Sequence, residues 1–95
     1  MINKINITDY VKENNDILVD LRSPGKYSFG TLEGAVNIPF DDTDKLFSLP
    51  YDKRIVLFCQ IGRFSSEIAE LLSDIGYETV DLEGGYIRYL SEQII

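Results

Sequence analysis

Two short segments set the terms on which this chain can fold. Ile17-Leu18-Val19-Asp20-Leu21 and Arg54-Ile55-Val56-Leu57-Phe58 are nearly continuous apolar runs rich in β-branched residues. A strand with one face in water alternates apolar with polar residues. These runs do not alternate, so both read as strands covered on two faces, the condition of a parallel sheet under helices. Ala35-Val36-Asn37-Ile38 and Glu78-Thr79-Val80-Asp81-Leu82 are shorter strand candidates. Between the strands, Ile68, Leu71, Leu72 and Ile75 recur at the spacing that lines one face of a helix. Ser65 and Ser66 are placed to cap its start, Glu67 suits its positive end, and Gly76 suits its terminus. A second helix is expected from about Asp42 to Leu49, stopped by Pro50, with short ones beginning at Thr8 and after Gly85. Strands alternating with helices give an open α/β sheet with right-handed crossovers. At 95 residues, the chain is read as one domain, 1–95.

Charge narrows the function. Acidic residues outnumber basic ones 16 to 9, for a formal charge of -7. Such a surface repels phosphate backbones, so nucleic acid is not expected as a partner. An anionic substrate would need a local positive site set against that background. Met1-Ile2-Asn3-Lys4-Ile5 does not lead into a signal-peptide apolar stretch, and no segment nears the roughly 20 apolar residues of a membrane span. No membrane partner is expected. The reading is a cytoplasmic protein with its thiol reduced. With one cysteine and no histidine, the chain offers no internal disulfide, no Cys/His zinc set and no imidazole base. Neither a metal nor another cofactor is expected. Gly84-Gly85 lacks the rest of a dinucleotide fingerprint. Asp41, Asp42 and Asp44 read as a solvated helix start.

The cysteine sits where chemistry is commonly placed. In open parallel sheets, sites form beyond the carboxyl ends of strands. Cys59 directly follows the strand ending at Phe58, and a short loop, Cys59-Gln60-Ile61-Gly62-Arg63-Phe64, leads to the helix. A loop this short wraps its N–H groups around a common centre, and a helix start adds further donors and the positive end of its dipole. Such a cradle favours a thiolate without help from histidine. Against this stands the ordinary behaviour of free cysteine, which is usually a small buried hydrophobe.

The run Cys59-Gln60-Ile61-Gly62-Arg63-Phe64-Ser65 resembles the active-site loop of the rhodanese family. Asp20-Leu21-Arg22 resembles that family's Asp-x-Arg, Gly34-Ala35-Val36-Asn37-Ile38-Pro39 its Gly-Ala-x-Asn-Ile-Pro, and Leu82-Glu83-Gly84-Gly85 its late Gly-Gly turn. The Cys-Gln-x-Gly opening, with Gly84-Gly85-Tyr86 and Tyr89, is especially similar to rhodanese domains fused to coenzyme A–disulfide reductases. Some positions depart from the family pattern. Thr31-Leu32 replaces a common His-Ile after Gly30, Lys26 replaces an acidic residue ahead of Tyr27, and Tyr89 stands for the usual tryptophan. These departures read as structural. Phe64 stands where many relatives place an arginine before the serine, with Arg63 one position earlier.

The resemblance implies a rhodanese-like doubly wound open parallel sheet with helices on both faces. It also implies sulfur transfer through a persulfide on Cys59, from thiosulfate or a persulfide or polysulfide donor to cyanide or a thiol. The implied partners are small sulfur-containing anions and low-molecular-weight or protein thiols. Gln60, Ile61, Gly62, Arg63, Phe64 and Ser65 would form the active-site loop. Arg63 would attract the anionic donor, and Ile61 with Phe64 would form an apolar rim. Arg22 would line the mouth, although pairing with Asp20 or Glu33 to fix a loop is the favoured reading. Cys59 is expected to be accessible to large acceptors. Two other readings remain open. One is a non-catalytic rhodanese-like module that binds partners or senses sulfur. The other is a Cys-x5-Arg phosphatase, disfavoured because Ser65 occupies the arginine position and Phe58 that of the usual histidine.

Overall fold

The computed structural model describes residues 2–94. Its strands are β1 (Ile2–Asn6), β2 (Asp16–Asp20), β3 (Val36–Asn37), β4 (Arg54–Phe58) and β5 (Glu78–Glu83). They form one sheet in the order β1-β5-β4-β2-β3, and every neighbouring pair is parallel. The helices are α1 (Pro24–Phe29), α2 (Thr43–Leu46), α3 (Arg63–Asp74) and α4 (Gly85–Gln93).

The non-alternating run at β4 has the explanation its sequence suggested. Ile55, Val56, Leu57 and Phe58 are all fully buried, because the strand is covered on both sides. Ile55 and Leu57 join Val19, Leu46, Ala69 and Leu72 in one cluster, beneath α2 and α3. Val56 and Phe58 join Leu18, Val80, Leu82 and Tyr86 in the other, with Tyr27 of α1 packed at its margin. The result is the sheet between two helical layers expected for a doubly wound α/β fold.

Several elements differ from the sequence reading. β1 was not expected, since an edge strand whose residues are only half-buried or exposed carries a weak pattern. No helix starts at Thr8. The Asn6 side chain instead accepts from the Thr8 N–H at 3.0 Å and the Thr8 hydroxyl at 2.9 Å, closing a turn. α1 was also missed. It has no buried residue, and only its Ser23 cap and leading proline signal it. The second helix, expected over Asp42–Leu49, is confined to Thr43–Leu46 behind its Asp42 cap.

A partly buried ion pair ties the amino ends of the two central strands. Asp16 and Arg54 are register partners on β2 and β4. The Arg54 Nε donates to Asp16 Oδ1 at 2.7 Å, and the Tyr10 hydroxyl donates to Asp16 Oδ2 at 2.6 Å. Burial pushes the Asp16 carboxyl up, but the bonds from Arg54, Tyr10 and the Glu13 N–H outweigh it and hold the group at about 2. Since that lies below the ordinary 3.8, folding favours the ionised form. The stabilisation is complete above about pH 4 and is lost as the pH falls towards about 2. Urea unfolding should therefore show Arg54→Met less stable than the native chain by about 2 kcal/mol at neutral pH. The gap should narrow steadily below about pH 4. A gap unchanged down to the acid limit would remove the pair from the account.

Candidate active site

The site is built where β4 ends. Cys59 follows the strand directly, the loop turns at Gly62 (φ 89), and α3 begins at Arg63. Ser65 and Ser66 therefore lie inside the first turn and are not its caps; Gly62 takes that place, with no side-chain cap. The first-turn donor of Ser65 is used on the sulfur. Its N–H points at Cys59 Sγ from 3.3 Å, while its hydroxyl donates to Asp81 at 2.6 Å.

The other side of the loop is held by α4. The Tyr86 N–H donates to the Cys59 carbonyl at 2.8 Å and the Ile87 N–H to the Gln60 carbonyl at 3.0 Å. These are the free donors that any helix start must place somewhere. Because the loop peptides are planar and trans, the N–H groups of Gln60 and Ile61 point away from α4. Gly85, at φ 71, makes this approach feasible. A Cβ there would strike the Gln60 carbonyl and come within 2.7 Å of the Gly62 nitrogen.

Cys59 is 3% exposed, at the base of a pocket of about 230 Å³. The expectation that large acceptors could reach it directly is corrected here, because the strand end and the first turn of α3 enclose the sulfur. Phe40 and Phe64 form one wall, stacked with ring centroids 4.4 Å apart. Arg22, Lys26 and Gln60 also line the pocket. Arg22 pairs with Asp20, not Glu33. Its Nε and Nη2 donate to the carboxylate at 3.0 and 2.8 Å, and its guanidinium lies 4.0 Å from the Tyr86 ring centroid. Thr31 completes the Asp20 shell from 2.8 Å. Arg22 thus fixes the loop and faces the pocket at once, with Nη1 reaching Gln60 Oε1 at 3.4 Å.

Among the residues singled out from the sequence, Cys59, Gln60, Phe64 and Arg22 converge on this pocket. Ser65 is buried behind the sulfur. Ile61 is 62% exposed beyond the rim, and Arg63 is exposed outside the lining and makes no ion pair among the described residues. Sequence reading passed over Phe40 and took Lys26 as structural. Lys26 instead lines both this pocket and an adjoining one of about 280 Å³, bounded by Phe29, Tyr86 and Leu90. Nothing marks Phe40 in the sequence, whereas the swap of an acidic residue for Lys26 was a visible signal. A larger cavity, about 550 Å³, lies beside Tyr10, Lys12 and Tyr89 and includes no residue of the cysteine loop. Among the described residues, no three His, Cys, Asp or Glu side chains are grouped to hold a metal, and no helix is long and apolar enough to cross a membrane.

Residues 6–92 match the rhodanese-like domain family. Thiosulfate sulfurtransferase PspE of Escherichia coli is 33% identical, the alignment covering 70% of this chain and 67% of that protein. A rhodanese-related protein from Thermoplasma volcanium superposes with a TM-score of 0.84 at 32% identity, over 95% of this chain and 92% of that one. The reduced Bacillus anthracis CoADR-RHD superposes with a TM-score of 0.71 at 35% identity, over 77% of this chain and 13% of that one. Several curated relatives are far longer, and the chain spans between 15% and 37% of their length.

The grip of α4 on the loop has a direct test. Gly85→Ala should lower stability by about 1–3 kcal/mol, through its positive φ and the clash with the Gln60 carbonyl. The folded fraction should alkylate at Cys59 with an altered rate. Native stability and native reactivity together would show that the loop does not depend on this contact.

Proposed function

The chain belongs to the rhodanese family, and from that premise we propose that it is a sulfurtransferase carrying sulfane sulfur as a persulfide on Cys59. The observation that carries the reading is the Ser65 N–H aimed at a buried Cys59 sulfur, at the base of a pocket that also holds two cationic side chains. The resemblance to thiosulfate sulfurtransferase PspE supports it.

The chemistry needs no general base. The Cys59 thiolate attacks the outer sulfur of thiosulfate, the bond to the sulfonate sulfur breaks, and its electron pair leaves with sulfite. A persulfide anion remains on Cys59, so charge balances. An incoming thiolate then attacks the terminal sulfur and restores the Cys59 thiolate, leaving the persulfide on the acceptor. Both forms of the enzyme carry one negative charge at the sulfur, where the amide donor and helix start stabilise it. No cofactor enters either step.

Lys26 and Arg22 are the cations in contact with the pocket, so attraction of the anionic donor falls first to Lys26, whose ammonium makes no ion pair among the described residues. Arg63 adds longer-range attraction from the rim. The chain contributes one cysteine, so the acceptor thiol comes from another group. It must enter on a slender arm between the Phe40–Phe64 wall and Arg22. Exposed Ile61 and the edge of Phe64 offer the acceptor an apolar contact.

Intact-mass measurement after exposure to thiosulfate, polysulfide or glutathione persulfide should show one added sulfur, removable by cyanide or dithiothreitol. Cys59→Ser should show none. Equal uptake by that variant would overturn the proposal. Lys26→Ala should cut kcat/KM for thiosulfate about tenfold, or about 1.4 kcal/mol, and spare a neutral trisulfide donor. Arg63→Ala should act in the same direction but more weakly. Equal losses on both donors would make Lys26 a structural residue.

A further inference from the structure

We propose that Asp81 is a positioning residue for the sulfur chemistry: it anchors Ser65 so that the Ser65 N–H stays on Cys59, while Lys4 neutralises its charge. Asp81 lies in mid-strand on β5, flanked in register by Lys4 of β1 and Leu57 of β4. It is 1% exposed, on the sheet face where Leu57 packs beneath α3. A carboxylate in such a place lowers stability unless it is paired, and an apolar residue would pack there as Leu57 does.

The pairing is particular. Among the described residues, the other two buried carboxylates, Asp16 and Asp20, are each held by an arginine. Asp81 instead accepts a 2.6 Å bond from the hydroxyl of Ser65 and a 3.2 Å contact from the Lys4 ammonium. The Ser65 side chain is itself fully buried, so its hydroxyl has no water to turn to. With the hydroxyl committed to Asp81, the group that Ser65 offers the sulfur is its backbone N–H, at 3.3 Å. The first turn of α3 is thereby pulled against the sheet at the residue whose amide meets Sγ. An unneutralised carboxylate on this side of the sheet would oppose a second anion at Cys59. Lys4, whose ammonium also reaches the Ser66 hydroxyl at 3.4 Å, offsets that charge from the edge strand.

The inference deepens the sulfurtransferase reading, but its test does not require sulfur transfer. Cys59 alkylation by iodoacetamide is measured at neutral pH on the full chain, with rates corrected for folded fraction, alongside ultraviolet thiolate absorbance. Asp81→Ala should slow alkylation about tenfold and reduce thiolate absorbance. Ser65→Ala should match it, and the double variant should be no slower than either, since both break one link. Asp81→Asn keeps an acceptor oxygen and should stay within about threefold of the native rate. Should Asp81→Ala fail to fold, Ser65→Ala and Asp81→Asn decide the matter. Native reactivity in folded Ser65→Ala, multiplicative losses in the double variant, or an Asp81→Asn as slow as Ser65→Ala would each overturn the inference. A native chain that alkylates as expected yet never takes up sulfur would sink the sulfurtransferase reading and leave the positioning role intact.

Discussion

The site depends on how two helix starts satisfy their free donors. α4 spends its first N–H groups on the carbonyls of Cys59 and Gln60, and α3 spends that of Ser65 on the sulfur. A helix end leaves such groups unpaired by construction, and burying them without partners is costly. The cysteine loop accepts from both starts at once. It is held on one side through its carbonyls and on the other through its sulfur. The close approach this requires explains Gly85, left-handed against the Gln60 carbonyl, and Gly62, also left-handed, where a Cβ would lie 3.3 Å from the Gly84 nitrogen.

Around this junction, buried charges secure the frame. Asp16 with Arg54 fixes the amino ends of β2 and β4, far along the strands from the cysteine. Asp20 with Arg22 fixes the carboxyl end of β2, draws in Thr31, and places a guanidinium against Tyr86 at the pocket. Asp81 with Lys4 and Ser65 fixes the first turn of α3. Each carboxylate is paired where burial alone would disfavour it. In a chain of net charge -7, this leaves Lys26 as the cation at the pocket whose charge is not already matched among the described residues.

What the sequence disclosed follows from which signals are local. β2 and β4 were legible because burial on both faces leaves an unbroken apolar run. α3 was legible from its apolar stripe, but not its start. Ser65 looks like a cap in one dimension, and only the neighbouring strand shows why its hydroxyl turns to Asp81 instead. Arg22 was legible as a partner of Asp20 or Glu33, and the choice of Asp20, two residues away, came from the structure. The edge strand β1 and the short α1 were not, since neither buries enough apolar surface to leave a periodic trace. Cys59, Gln60 and Phe64 are contiguous with the loop and could be singled out. Phe40 and Lys26 come to the pocket from separate segments, so their roles depend on tertiary contacts.

The central claim is that sulfur passes through Cys59, and tracing the atom tests it most directly. Thiosulfate labelled only at its outer sulfur is mixed with the protein and a thiol acceptor for a single turnover. The Cys59 peptide is then followed by mass spectrometry. The label should appear on Cys59 first and then move to the acceptor, at a rate that matches turnover. Label reaching the acceptor while Cys59 stays unlabelled would contradict it.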